Sequence, residues 1–259
     1  MKAVFLDYAT MGPGLDLQPL RRFFSDFDIH DQTSDAEVAD RIREVEFVFT
    51  NKFRMTPAVL EQASKLRFIG LTATGTDNVS LDGAREHGIA VCNIRAYCTD
   101  SVVEHVFGVM LMLSHSLGPY NAAVRAGHWQ QSPDFCMLTH PVPGIAGKTL
   151  GIVGLGRVGQ AVAVRALGMG MTVLGYDPFL SPQRTAELGI EACASAREML
   201  PQVDYLSVHT PLTDQTRDLI GPDEVRLLKP GARLVNCARG GIVDESDLKE
   251  ALISGKVAG

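Results

Sequence analysis

The sequence predicts an α/β protein made of two Rossmann-like parallel-sheet domains, and two observations carry that expectation. Short apolar runs alternate with helix-length amphipathic segments along most of the chain, the pattern of parallel strands joined by crossover helices. Between Leu150 and Asp177 the chain then reads L-G-I-V-G-L-G-R-V-G and, after an amphipathic run, T-V-L-G-Y-D. That is a strand, a glycine turn, a helix and a second strand ending in an acidic residue, the parts of a doubly wound nucleotide-binding unit in their usual order.

Element by element, the first unit (residues 1–98) opens with a strand at Ala3–Asp7 and a short helix at Pro19–Phe24. A buried strand follows at Phe47–Thr50, and Thr56-Pro57 opens a helix predicted to run to Ser64, since proline suits a first helical turn. Phe68–Leu71 reads as a strand, Leu81–His87 as a helix closed by Gly88, and Ile89–Asn93 as another strand. A long buried helix is predicted for Asp100–Leu117. After it comes a polar arm, Gly118–Gly147, with Pro119, Pro133, Pro141, Pro143 and the sole tryptophan, Trp129. An arm of that length is expected to be functional or to cover a neighbouring subunit. The second domain, residues 99–259 with the arm 118–147, then places strands at Leu150–Val153, Thr172–Tyr176, Tyr205–His209 and Arg233–Cys237, and a helix at Asp247–Ser254 capped by Gly255. The closing V-A-G reads as the start of a further strand, so the chain is expected to be C-terminally truncated.

Bulk properties narrow the function classes. With 259 residues, 46% hydrophobic and 21% charged, the chain is sized for two globular domains with a real core. A net charge of −6 argues against nucleic acid, whose binders need a basic surface to displace counterions. The most apolar run, Val102–Leu117, is broken by Glu104, His105, Ser114 and His115 and is shorter than a bilayer span, so no membrane role is expected. The five cysteines, Cys92, Cys98, Cys136, Cys193 and Cys237, form no C-x-x-C pair. Neither a metal site nor a disulfide framework is suggested, and a reducing cytoplasm fits best.

The glycine turn carries the first chemistry. Gly154 is placed for the tight turn, Gly156 for close approach of backbone to a pyrophosphate, and Gly159 for contact between helix and strand. The N–H groups around Arg157 and Val158 face the phosphates with the positive end of the helix dipole behind them. Asp177 can accept hydrogen bonds from a ribose diol and would repel a 2′-phosphate, which makes the expected cofactor NAD rather than NADP.

Four further segments add up to a resemblance: T-A-T-G-T-D-N-V-S-L (Thr72–Leu81), S-V-V-E-H (Ser101–His105), S-V-H-T-P-L-T (Ser207–Thr213) and L-K-P-G-A-R-L-V-N-C-A-R-G-G-I-V-D-E (Leu228–Glu245). In this order and spacing the chain resembles the D-isomer-specific 2-hydroxyacid dehydrogenases over nearly its whole length. W-Q-Q-S-P-D-F-C (Trp129–Cys136) and the N-terminal strand are similar to the glycerate dehydrogenase, or hydroxypyruvate reductase, branch. The resemblance implies hydride transfer between NADH and a small 2-oxo acid, converting hydroxypyruvate or glyoxylate to D-glycerate or glycolate. It also implies a homodimer with the 100–117 helix and the arm at its interface.

Such a reaction needs an anchor for the substrate carboxylate, polarisation of the carbonyl and a proton donor. Arg239, directly after a buried strand, is the candidate for the first two, because its planar fork can grip two oxygens together. By resemblance the backbone N–H groups of Thr74 and Gly75 hold the carboxylate, although T-G-T-D-N also reads as a plain turn. Asp77 and Asn78 are expected to brace that loop. His209, Thr210 and Pro211 are assigned to the cofactor, with His209 lining it rather than acting as an acid. Thr99 fits both a place near the nicotinamide and an N-terminal helix cap. Cys237 and Ala238 line the nicotinamide by resemblance.

Members of the family carry a glutamate and a proton-transferring histidine downstream of Gly259, and none of the seven histidines here stands in a matching context. Weak NAD(H) binding and poor turnover are therefore expected of the chain as written. The alternative is a non-catalytic NAD-binding or interaction protein that lacks the acid. Arg239 and the Thr74–Gly75 loop, which a pure nucleotide sensor does not need, favour the enzyme.

Overall fold

The computed structural model describes residues Met1–Gly259, and the chain divides into two compact units, Met1–Tyr97 and Cys98–Gly259. The first unit holds one five-stranded sheet of β1 (Lys2–Phe5), β2 (Asp26–Ile29), β3 (Phe47–Thr50), β4 (Phe68–Leu71) and β5 (Ala90–Asn93). Its spatial order is β2-β1-β3-β4-β5, with every neighbouring pair parallel. Helices α1 (Gln18–Arg21), α2 (Asp35–Ile42), α3 (Pro57–Leu60) and α4 (Leu81–Glu86) lie between the strands.

On one face of this sheet Val4, Val48 and Ile69 pack with Val38 and Ile42 of α2, Leu60 of α3 and Ala84 of α4, all buried. The opposite face is aromatic. The Phe24 ring lies 5.4 Å from that of Phe27 and 5.2 Å from that of Phe47, and Phe49 joins the same group. Over β5 this second face is open, with Ala90 and Cys92 exposed.

The Thr56 hydroxyl caps α3 by accepting from Val59 N–H, as Thr-Pro predicts, but the helix closes after Leu60 and the chain continues in turns rather than reaching Ser64. Within this unit β2 and α2 stand where the sequence predicts neither strand nor α-helix. β2 is an edge strand, D-F-D-I, of which only Phe27 is buried, so it lacks an apolar run. α2 follows it, started by Glu37 reaching back to the Ser34 N–H at 2.9 Å.

In the second unit α5 (Thr99–Ser114) and α6 (Leu117–Arg125) precede a second five-stranded sheet. Its strands are β6 (Thr149–Val153), β7 (Thr172–Tyr176), β8 (Glu191–Ala192), β9 (Tyr205–Val208) and β10 (Arg233–Asn236). Between and after them run α7 (Arg157–Gly168), α8 (Pro182–Glu187), α9 (Ala196–Met199), α10 (Pro222–Leu227) and α11 (Glu245–Ile253). The order β10-β9-β6-β7-β8 is parallel throughout and reverses between β6 and β9, so the carboxyl ends of those two strands open a crevice. The closing V-A-G lies alongside β10. Val257 bridges Ala232 in parallel, Ala258 N–H donates to Ala232 at 2.8 Å, and Leu234 N–H donates to Gly259 at 2.9 Å.

The predicted helix Asp100–Leu117 is two helices. α5 ends at Ser114, Ser116 takes a left-handed conformation (φ 51°), and α6 sets off at 65°. The start of the predicted arm is therefore helical. Pro119 falls in the first turn of α6, where its missing N–H costs no hydrogen bond. α5 buries one face only, through Val103, Val106, Phe107 and Met110, while Glu104 and His105 point to solvent and do not bond each other. No single helix is long and apolar enough to cross a membrane.

Candidate functional site

The crevice of the second unit is built first by the glycine turn. Gly154 has φ +89°, and a Cβ there would stand 2.7 Å from Thr210 N and 2.8 Å from the His209 carbonyl carbon. Only glycine lets the turn lie so close to the end of β9. A Cβ on Gly159 would stand 2.0 Å from Gly154 O, so this glycine seats α7 against the turn. Gly156 differs: a Cβ added there meets nothing within 4 Å. Space is open in front of it, and the first N–H groups of α7, at Arg157 and Val158, have no carbonyl of their own helix to bond. That is a cradle for an anionic group.

Asp177, at the end of β7, is half-buried and holds two loops. Leu155 N–H donates to its Oδ2 at 2.7 Å and Phe179 N–H to its Oδ1 at 2.9 Å. A carboxylate has about four acceptor positions, so both oxygens keep capacity for a ribose diol. Beside it lies a cleft of about 540 Å³. Val153, Tyr176, Pro178, Phe179, Pro211 and Leu219 supply apolar walls, and Asp177, His209, Thr210, Thr213, Gln215 and Thr216 supply polar groups. Apolar walls with a few polar groups suit an adenosine. The residues present thus fit a dinucleotide: open space at Gly156, unpaired N–H groups behind it, and an acidic acceptor at the cleft.

His209 lines this cleft, with Nε2 2.8 Å from the hydroxyl of the fully buried Ser207. Burial lowers its pKa from the ordinary 6.5 to about 4, so it is neutral at pH 7 and suited to a wall rather than to an acid.

At the end of β10, Asn236 shapes the loop that carries Arg239. Its Nδ2 donates to Arg239 O at 2.8 Å and its Oδ1 accepts from Ala238 N–H at 3.0 Å. The Arg239 side chain is exposed, and its Nη1 donates to Ala238 O at 2.9 Å. Cys237 and Ala238 are half-buried beneath it, and burial pushes the Cys237 thiol up, which keeps it an unreactive wall. Thr99 is the first residue of α5, where Cys98 occupies the cap position and no side chain caps the helix. The capping alternative for Thr99 is thereby excluded.

In the first unit Thr74 and Gly75 follow β4, with Thr74 exposed. Their loop is braced from two sides: Asn93 Nδ2 donates to Thr74 O at 2.6 Å, and Asn78 Nδ2 donates to Phe53 O at 3.0 Å. Asp7, buried at the end of β1, accepts from the N–H groups of Asn51, Lys52 and Phe53 at 2.9, 2.6 and 2.8 Å. It fixes the loop after β3.

Sequence reasoning passes over Asp7, Asn236 and also Gln160, whose Nε2 donates to Leu155 O at 2.7 Å. Each acts on backbone groups distant in sequence or hidden inside a turn. The one readable signal is a side-chain amide four residues after the second glycine.

A model of the D-isomer specific 2-hydroxyacid dehydrogenase NAD binding domain matches residues 107–259. Glycerate dehydrogenase of Methylorubrum extorquens is 40% identical over 223 residues, covering 86% of this chain and 68% of that protein. Hydroxypyruvate reductase of Blautia hydrogenotrophica is 37% identical over 264 residues, covering 100% of this chain and 80% of that one. Among solved structures, D-lactate dehydrogenase from Aquifex aeolicus, complexed with NAD and lactic acid, superposes with a TM-score of 0.86 at 28% identity, covering 100% of this chain and 75% of that chain. The chain therefore belongs to the D-isomer-specific 2-hydroxyacid dehydrogenases, oxidoreductases of small 2-hydroxy and 2-oxo acids that use NAD.

Proposed function

We propose that this chain reduces hydroxypyruvate to D-glycerate, and the smaller glyoxylate to glycolate, with NADH as the reductant. When bound, the nicotinamide would supply a hydride to C2 of the oxo acid, with the proton that completes the hydroxyl coming from water, because neutral His209 lines the cofactor cleft. Gly154, Gly156, Gly159 and the N–H groups at Arg157 and Val158 hold the pyrophosphate; Asp177 accepts from the ribose; His209, Thr210 and Pro211 wall the adenosine side. Thr99, Cys237, Ala238 and the Arg239 backbone border the nicotinamide. Arg239 grips the substrate carboxylate and carbonyl oxygen and draws charge onto that oxygen as hydride arrives. Thr74 and Gly75 offer N–H groups to a substrate carboxylate. Residues 1–98 are assigned to substrate and residues 99–259 to cofactor.

The observation that carries this reading is the Arg239 loop. An exposed guanidinium stands at the carboxyl end of β10, on a backbone held by both ends of the Asn236 amide. The names of the two relatives, at 40% and 37% identity, favour a hydroxylated three-carbon acid over other substrates.

The test is NADH oxidation with hydroxypyruvate, glyoxylate, pyruvate and 3-phosphohydroxypyruvate, on the wild type and on Arg239→Lys. Hydroxypyruvate should give the highest kcat/KM. Arg239→Lys should lose at least about 100-fold in kcat/KM while binding NADH as before, because an ammonium cannot make the two-pronged contact. A preference for pyruvate or the phosphorylated acid would refute the substrate assignment, and NADH binding without any turnover would support a non-catalytic module.

A homodimer in a reducing cytoplasm completes the proposal. The arm after α6 leaves Phe135 95% and Leu138 88% exposed, and Trp129 and Val142 about half exposed, more apolar side chain than a lone chain usually presents together. All five cysteines are free. Sedimentation at twice the 28.0 kDa chain mass would support the dimer, and a monomer would refute it.

A further inference from the structure

Two consecutive peptide planes in the glycine turn are each pinned by one side chain. The plane between Gly154 and Leu155 is held by its N–H, which donates to Asp177 Oδ2 at 2.7 Å. The plane between Leu155 and Gly156 is held by its carbonyl, which accepts from Gln160 Nε2 at 2.7 Å. In a trans peptide the N–H points opposite to the C=O. Fixing the Leu155 carbonyl toward Gln160 therefore turns the Gly156 N–H the other way. That N–H makes no hydrogen bond within the protein, and the space in front of Gly156 is open.

A backbone carbonyl left to rotate into that space would present a partial negative charge to an incoming phosphate. Gln160 removes this alternative. It lies on the first turn of α7, half-buried, and its amide has no other hydrogen-bond partner.

We propose that Gln160 is a positioning residue for the cofactor: it preorganises the Gly156 N–H as a pyrophosphate donor by holding the Leu155 carbonyl away from the phosphate. Its action is on the phosphates and not on the adenosine, whose cleft is bounded by other residues. The proposal rests on the assignment of the glycine turn to the pyrophosphate, and wild-type affinity for NADH tests that assignment separately.

The experiment compares wild type, Gln160→Leu, Gln160→Glu and Gln160→Lys for the dissociation constants of NADH and ADP-ribose and for inhibition by adenosine, with thermal midpoints alongside. Loss of the donor in Gln160→Leu should weaken NADH and ADP-ribose by about tenfold, the scale of one hydrogen bond, and leave adenosine within about twofold. Gln160→Glu, nearly the same shape but with an acceptor facing the carbonyl, should weaken the two phosphate-bearing ligands more. Gln160→Lys restores a donor and should return NADH to within about threefold of wild type, and it serves as the folded comparison if the leucine variant does not fold. The proposal is overturned if Gln160→Leu binds NADH like wild type, if all three ligands weaken equally, or if the lysine variant is as weak as the leucine one.

Discussion

His209 shows how burial decides between two roles that a residue type permits. An imidazole at the end of a strand beside a cofactor cleft could be an acid, but its pKa of about 4 keeps it neutral through the physiological range. The linkage has a definite sign. Between pH 6.5 and 4 the unfolded chain protonates this histidine while the folded chain does not, so folding stability is complete above about pH 6.5 and falls as pH drops toward 4. The loss should reach on the order of 3 kcal/mol. Urea unfolding of wild type and His209→Asn across this window measures it: the wild type should show the steeper decline with acid, and parallel curves would mean that His209 is not held neutral. Asp177 illustrates the reverse case, a residue with two tasks. It reads as a ribose acceptor from its position after the second strand, yet its carboxylate also ties Leu155 and Phe179, which no spacing announces.

At the scale of elements, the strand–turn–helix unit makes a sharp distinction between Gly156 and Gly159. Gly159→Ala drives a Cβ to 2.0 Å from Gly154 O and should destabilise the second unit by more than about 2 kcal/mol, because neither backbone can yield. Gly156→Ala places its methyl in open space and should change stability by less than about 1 kcal/mol, while lowering NADH affinity at least about tenfold by filling the phosphate's place. Thermal midpoints and NADH titrations of both variants decide this; equal destabilisation would mean that the space before Gly156 is not a ligand's. The elements that the sequence reveals are those with strong apolar periodicity or unmistakable punctuation, such as β6, α7 and β10. β2 escapes because an edge strand with one buried side chain has no apolar run. α6 escapes because Gly118 and Pro119 read as loop residues, although a first helical turn accepts both.

For the whole molecule, the two parallel sheets have different strand orders. The order β2-β1-β3-β4-β5 puts Asp7 and the loop after β3 at the reversal of the first sheet, and the order β10-β9-β6-β7-β8 puts the glycine turn and His209 at that of the second. Candidate positions are readable in the sequence where they follow a strand, as Arg239, Asp177 and Thr74 do. The side chains that hold those loops in shape leave little mark in the sequence: Asp7 and Asn236 act on backbone atoms, and Gln160 shows only as an amide four residues after the second glycine. We propose that the second unit is an NADH site in which Asp177 selects against a 2′-phosphate. Calorimetric titration of the chain with NADH and with NADPH tests it most directly. NADH should bind at least about tenfold more tightly than NADPH, since a 2′-phosphate would meet the carboxylate. Equal affinities, or tighter binding of NADPH, would contradict the account.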